Sequence, residues 1–145
     1  MTLEELIHQE GTVRVKVREF KGKKYILYAW RHSSLNFING YVGVPKESKL
    51  YKYHEGYDFN DLDGGWLDIY QGCTFAGGIK GMDMFDEGHH FIGFDTGHIT
   101  DLEPNDRNGN IKDMSEEVAI EKGYKTMEWV WEQIEDVFNQ IKERE

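Results

Sequence analysis

The chain is poor in the features that mark several protein classes. It has a single cysteine, Cys73, in 145 residues. One thiol cannot close an internal disulfide, which points away from a stapled secreted scaffold and toward a reducing compartment. No apolar run approaches the ~20 residues that a membrane-spanning helix needs. The segment from Met1 to Gly11 is acidic and has no apolar stretch of the signal-peptide kind, so no export is expected. Positive charge is scarce: 17 Lys and Arg stand against 27 Asp and Glu, a formal charge of −10. A phosphate backbone needs basic patches, so general nucleic-acid binding is not expected. Repeats, low-complexity tracts and linkers are missing too, and 145 residues suit one domain with a real core.

What is present is aromatic and unevenly charged. Phe, Trp and Tyr make up 14% of the chain, too many to leave in water, which excludes disorder. Residues 1–50 carry 9 basic and 5 acidic side chains, and residues 51–145 carry 8 and 22. The basic share concentrates between Arg14 and Lys24. Such a contrast offers one face for an anionic ligand and another for solvation.

The pattern along the chain is that of an α+β domain. Thr2-Leu3-Glu4-Glu5 is a capping box opening a short helix that Gly11 ends. Val13-Arg14-Val15-Lys16-Val17-Arg18 alternates strictly, predicting a half-buried strand with its valines inward and its cations outward. Lys21-Gly22-Lys23 turns it back along a second strand, Tyr25 to Trp30. A third strand runs from Phe37 to Val44 and stops at Pro45. Residues 46–65 form a long polar loop with one helical turn near Lys49 to Tyr53. Trp66 to Phe75 is expected to be a strand, Gly77-Gly78 to Gly88 a flexible loop, His90 to Asp95 a buried strand and Leu102 to Asp113 a polar loop. Beyond Ser115, apolar residues at Met127, Val130, Trp131, Ile134, Val137, Phe138 and Ile141 share one face of a long C-terminal helix. That helix is expected to cover an antiparallel sheet of four to six strands, with a homodimer as the other use of its stripe.

Chemistry concentrates in Gly93-Phe94-Asp95-Thr96-Gly97-His98-Ile99-Thr100-Asp101. Asp95, His98 and Asp101 fall three apart where a strand runs out. A carboxylate beside an imidazole orients it and raises its basicity, for acid–base work, ligand contact or a divalent ion. Hydrogen bonds within an ordinary turn are the competing account. The acidic segment Asp58-Phe59-Asn60-Asp61-Leu62-Asp63 and the segment Asp106-Arg107-Asn108-Gly109-Asn110 both fail the EF-hand spacing. Gly78-Ile79-Lys80-Gly81 lacks the end of a P-loop. Cys73 reads as core. His89 and His90 point to opposite faces of their strand, and Arg14, Lys16 and Arg18 offer cations for phosphates.

Gly40-Tyr41-Val42-Gly43-Val44-Pro45, with Gly93-Phe94-Asp95 through His98 and Asp101, resembles a family of small bacteriophage proteins. That family's pattern joins a G-Y-V-G-[VI]-P strand, a Tyr/Asp loop, an H-G-G-x-T-[YF] segment, a G-F-D-x-x-H-x-x-D segment and a C-terminal helix. Here Tyr57-Asp58 and Tyr124-Lys125-Thr126-Met127-Glu128-Trp129-Val130 resemble the loop and the helix start, so the likeness spans about residues 40–135. Tyr70-Gln71-Gly72-Cys73-Thr74-Phe75 departs from it, placing Tyr70 where the family has histidine, which weakens a metal-dependent reading. The resemblance implies an accessory protein acting in the cytoplasm of an infected host cell.

The function expected from these readings is sequestration of a small anionic ligand, a nucleotide-derived host immune signal, in a counter-defence role. Asp95, His98 and Asp101 are its expected contacts. Tyr41, Tyr70 and Thr74 add aromatic and hydroxyl groups, and Arg14 and Lys16 would meet phosphates. No cofactor, metal, nucleic acid or membrane partner is expected. A hydrolase working through Asp95, His98 and Asp101 is one alternative, and an acidic inhibitor that mimics DNA is the other.

Overall fold

The computed structural model describes residues 1–52, 66–77, 88–98, 100–104 and 111–145. The capping box forms: Thr2 Oγ1 accepts from the Glu5 amide, and Glu5 Oε1 accepts from the Thr2 amide at 2.9 Å. Helix α1 (Leu3–Glu10) follows and ends at Gly11, whose φ of 79° suits only glycine. Strands β1 (Val13–Phe20) and β2 (Lys23–Arg31) pair antiparallel across a two-residue turn, with Lys21 and Gly22 both at positive φ. Strand β3 (Ile38–Val44) stops at Pro45, and a 3-10 turn follows at Lys49–Lys52. Strands β4 (Phe75–Gly77) and β5 (His90–Asp95) complete an antiparallel sheet of order β1-β2-β3-β5-β4. Two helices follow, α2 (Glu116–Glu121) and α3 (Met127–Arg144), and the architecture is α+β.

Helix α3 lies on one face of the sheet. All seven residues of its predicted stripe are buried, against Tyr25, Leu27, Ala29, Ile38, Val42, Val44, Ile92 and Phe94. Burying each large aliphatic chain contributes about 1.5–3 kcal/mol, which makes this interface the main apolar contribution to the fold. The opposite face carries Ile26 and Phe91, fully buried, with Val15, Tyr28, Tyr41 and Phe75 around them.

Three cross-strand pairs set a glycine under an aromatic ring: Gly40 with Phe94, Gly43 with Phe91 and Gly93 with Tyr41. A Cβ at these glycines would stand 2.6, 2.7 and 2.3 Å from the partner ring. The glycines of the G-Y-V-G-V-P and G-F-D segments therefore make room for rings lying flat on the sheet.

The structure corrects three expectations. On β1 Val13 and Val17 are 54% and 51% exposed and Val15 packs beside Ile26 and Phe91, while Arg14 and Arg18 turn toward α3. Arg14 stacks 4.2 Å over the Trp131 ring and pairs with Glu128, and Arg18 pairs with Glu135. Alternation marks a strand but not which face is covered, and the acidic flank of α3 decides it here. Residues 66–74 are not a strand. Leu67, Ile69 and Cys73 are buried, but the Asp68 backbone is paired by the Gln140 side chain at 2.7 and 2.6 Å instead of by a ladder. The C-terminal helix is two helices, parted at Gly123 (φ 108°), with Thr126 capping the second through the Trp129 amide. The acidic loop 58–65, the glycine-loop residues 78–87 and the segment 105–110 lie outside the described residues, as do Tyr53 and Tyr57.

Candidate functional site

Strand β5 runs out at Asp95, and the next residues are fixed one by one. Thr96 is buried, and its Oγ1 donates to the Ile38 carbonyl at 2.8 Å and accepts from the Ile38 amide at 3.1 Å. Gly97 passes so close to Phe37 that a Cβ would stand 2.8 Å from the ring. Asp95 Oδ1 accepts from the Gly97 amide at 2.9 Å, an Asx turn. The chain then folds into a tight turn in which the Asp101 amide donates to the His98 carbonyl at 2.8 Å.

This turn encloses the Asp101 carboxylate, whose side chain is fully buried. One oxygen faces the His98 amide at 3.0 Å and the His98 ring at 3.1 Å through Nδ1. The other accepts from the Tyr70 hydroxyl at 2.5 Å and faces Lys125 Nζ at 3.4 Å. A buried carboxylate is costly unless donors surround it, and here they do. Asp95 Oδ1 stands 3.5 Å from the same His98 Nδ1. The imidazole is thus held on its Nδ1 side by two carboxylates, a setting that places a proton on Nδ1. Nε2, together with Asp95 Oδ2, has no hydrogen-bond partner among the described residues, and both side chains are partly exposed at 24% and 35%.

Aromatic rings wall this turn. Tyr70 meets His98 edge-on at 5.6 Å and Trp129 edge-on at 4.8 Å. Lys125 Nζ lies 5.8 Å over the Tyr70 ring and 5.4 Å over Trp129. Burial, then the Asp101 hydrogen bond, pushes the Tyr70 phenol above its ordinary pKa, so it stays a donor at neutral pH. Lys125 reaches the turn because Gly123 lets α2 and α3 approach it: the Leu102 amide donates to the Gly123 carbonyl at 3.0 Å, and a Cβ on Gly123 would stand 2.6 Å from the Thr100 carbonyl.

Of the residues singled out in the sequence, Asp95, His98, Asp101 and Tyr70 come together. Tyr41 lies two cross-strand pairs from Asp95 on the face away from α3, stacked on Tyr28 with centroids 5.6 Å apart. Burial pushes its phenol up to about 12. Thr74 is exposed beside β5, its amide donating to the Gly93 carbonyl at 3.0 Å, and no hydrogen bond from its side chain to the turn is seen among the described residues. Arg14 and Lys16 are not at the site either. They sit on β1, at the other side of the sheet from β5. Trp131 and Trp129 leave α3 about 200° apart, so the Trp131 that Arg14 covers and the Trp129 of the His98 turn stand on opposite flanks. Arg14 instead lines a cleft of about 410 Å³ with Leu6, Glu10, Ile120, Met127 and Glu128. His90 is far from His98 as well, stacked on Tyr51 at 3.7 Å at the start of β5.

Lys125 and Trp129 were not anticipated at the site. One signal was available: Trp129 falls off the apolar stripe of α3, so a large ring there has another neighbour. Among the described residues, no group of three His, Cys, Asp or Glu is arranged to hold a metal ion. Among those residues, too, no helix is long and apolar enough to cross a membrane. Compared with known proteins, the chain matches no family model, no curated protein and no solved structure.

Proposed function

We propose that the protein binds a small ligand at the His98 turn through hydroxyl groups, as the ribose of a nucleotide-derived molecule would present. The observation that carries this reading is the fixed imidazole. His98 is anchored at Nδ1 by Asp101, with Asp95 3.5 Å away, and Nε2 and Asp95 Oδ2 have no hydrogen-bond partner among the described residues of a turn that Tyr70 flanks. Two acceptors left open on one turn suit hydroxyl groups, and the Tyr70 and Trp129 rings suit the apolar face of a sugar or base. Lys125 is the cation at hand for a phosphate, in place of Arg14 and Lys16. With the resemblance to small bacteriophage proteins, this favours sequestration of a nucleotide-derived host signal in the infected cell. The test is ligand retention by the His98→Ala variant in native mass spectrometry against cyclic nucleotides and ADP-ribose derivatives. Retention equal to the parent protein removes His98 from the site.

One observation favours a second reading, a hydrolase. A buried carboxylate accepting from Nδ1 is how an imidazole is held ready to take a proton at Nε2. The same spectra separate the two, because sequestration returns the ligand at its original mass and hydrolysis does not.

A further inference from the structure

We propose that Asn39 is a further ligand contact beside the His98 turn and that, with Asp95, it selects a ligand carrying a ribose whose vicinal diol is unsubstituted. The inference rests on the ribose reading above and narrows it to one ligand class. Asn39 stands on β3 between Ile38 and Gly40, on the sheet face it shares with Tyr41 and turned away from α3. It is 9% exposed, and its Oδ1 is buried with no hydrogen-bond partner. Two other buried polar atoms share that condition among the described residues, and each has a neighbour that accounts for it. Arg18 Nε belongs to a guanidinium already paired with Glu135, and the Tyr25 hydroxyl lies beside Glu145. Asn39 instead has a carboxylate across the strand pair.

The ladder sets Asn39 directly opposite Asp95. Thr96 Oγ1 engages both main-chain groups of Ile38 on the β5 side. Period two then turns the main chain of Asn39 toward β2 and makes Asn39–Asp95 a non-hydrogen-bonded pair. In such a pair Cα atoms approach to about 4.5 Å and side chains stand closest. Burial raises the Tyr41 phenol pKa, and the Asn39 amide, donating to that phenol, works against the rise. The Asn39 NH2 is thereby engaged and its carbonyl oxygen is left over. Asp95 Oδ1 is engaged as well, by the Gly97 amide. What remains on this strand pair is two acceptors, Asn39 Oδ1 and Asp95 Oδ2, with the Asp95 side chain, 35% exposed, as the way in. Acceptors on paired residues need hydrogens brought from outside. A vicinal diol brings two, on neighbouring oxygens, where a lone hydroxyl brings one. The carboxylate also decides what the diol cannot carry. A phosphate ester on either oxygen, as in a cyclic nucleotide, removes a hydrogen and sets an anion against Asp95.

The test measures binding of the full chain to ADP-ribose and AMP, which have the free diol, to dAMP, which lacks one hydroxyl, and to cyclic AMP, in which one is esterified. ADP-ribose and AMP are expected to bind at least about tenfold more tightly than dAMP and cyclic AMP. In the unaltered protein the Asn39 side-chain NH2 signals should shift when ADP-ribose is added. Asn39→Leu keeps the volume and removes the acceptor. Folded, as a thermal melt checks, it should erase the preference for AMP over dAMP, which a packing defect alone would not do. Equal binding of AMP, dAMP and cyclic AMP, a preference that survives Asn39→Leu, or Asn39 signals that stay in place with ligand bound would each overturn the inference. The His98 reading would still stand in those cases if His98→Ala weakens binding. A folded protein that binds none of these molecules overturns both together.

Discussion

The glycine–aromatic pairs give the sharpest stability prediction, because the same substitution can be made on both faces of the sheet. Gly40→Ala puts a methyl group 2.6 Å from the Phe94 ring and 2.9 Å from Ile134 Cγ1. Phe94 is 2% exposed and Ile134 is fully buried, so neither neighbour has free space to move into. Relief must come from shifting α3 off the sheet, and overpacking of this kind costs about 3 kcal/mol, the upper part of the usual range. Gly93→Ala makes a closer contact, 2.3 Å from Tyr41, and also stands 2.9 Å from the Gly40 carbonyl oxygen, main chain of the paired strand that cannot rotate away. It should therefore cost at least as much, about 3 kcal/mol. Each substitution should lower Tm by roughly 10 °C for a chain of this size. Denaturant unfolding followed by tryptophan fluorescence measures both, and Phe94→Leu combined with Gly40→Ala should recover part of the loss. If either substitution is tolerated without loss, or if Phe94→Leu recovers nothing, ring packing over the paired glycine is not what these positions demand.

Other outcomes follow from the same contacts. Asp101→Asn removes the charge that Lys125 and the His98 ring face inside the turn, and should cost about 2–3 kcal/mol. It should also free the His98 ring, visible as a change in its ring NMR signals. Alkaline pH should unfold the protein early. Burial raises the phenol pKa of Tyr25, Tyr28, Tyr41, Tyr70 and Tyr124 in the folded chain. Their contribution is complete below the ordinary value near 10 and is lost as pH rises toward the folded value, about 12 for Tyr41. The slope is up to about 1.4 kcal/mol per pH unit for each phenol, and phenolate absorbance should rise together with loss of tryptophan packing. Cys73 is buried and its thiol pKa is raised by that burial, so a thiol reagent should modify it only at the rate of opening. Fast modification of the native protein would contradict its place in the core.

Much of the fold could be read from local signals, because those signals are themselves the physics of the elements. The Thr2–Glu5 box, the turn at Lys21 and Gly22 and the stripe from Met127 to Ile141 each act within a few residues. What could not be read depends on residues far along the chain. The inward turn of Arg14 and Arg18 is set by Glu128 and Glu135, more than a hundred residues away. Leu67 and Ile69 are buried as alternation suggests, yet Gln140 takes the place of a neighbouring strand. The break at Gly123 was visible, since a glycine followed by a capping threonine ends one helix and starts another, but the regular stripe masked it. The same division holds at the site. Asp95, His98 and Asp101 share one turn and announce themselves by spacing. Tyr70 gains its meaning only beside Asp101, and Lys125 and Trp129 arrive from the start of α3.

The central claim is that the anchored His98 ring, whose Nε2 has no hydrogen-bond partner among the described residues, contacts a ligand. Native mass spectrometry of the folded protein with cyclic nucleotides and ADP-ribose derivatives tests it most directly, run alongside His98→Ala and Asp95→Asn. The account predicts a retained adduct of unchanged ligand mass that both substitutions weaken by at least about tenfold, the loss expected when a charged or buried hydrogen bond is removed. An adduct indifferent to both substitutions, or a folded protein that retains none of these molecules, would contradict it.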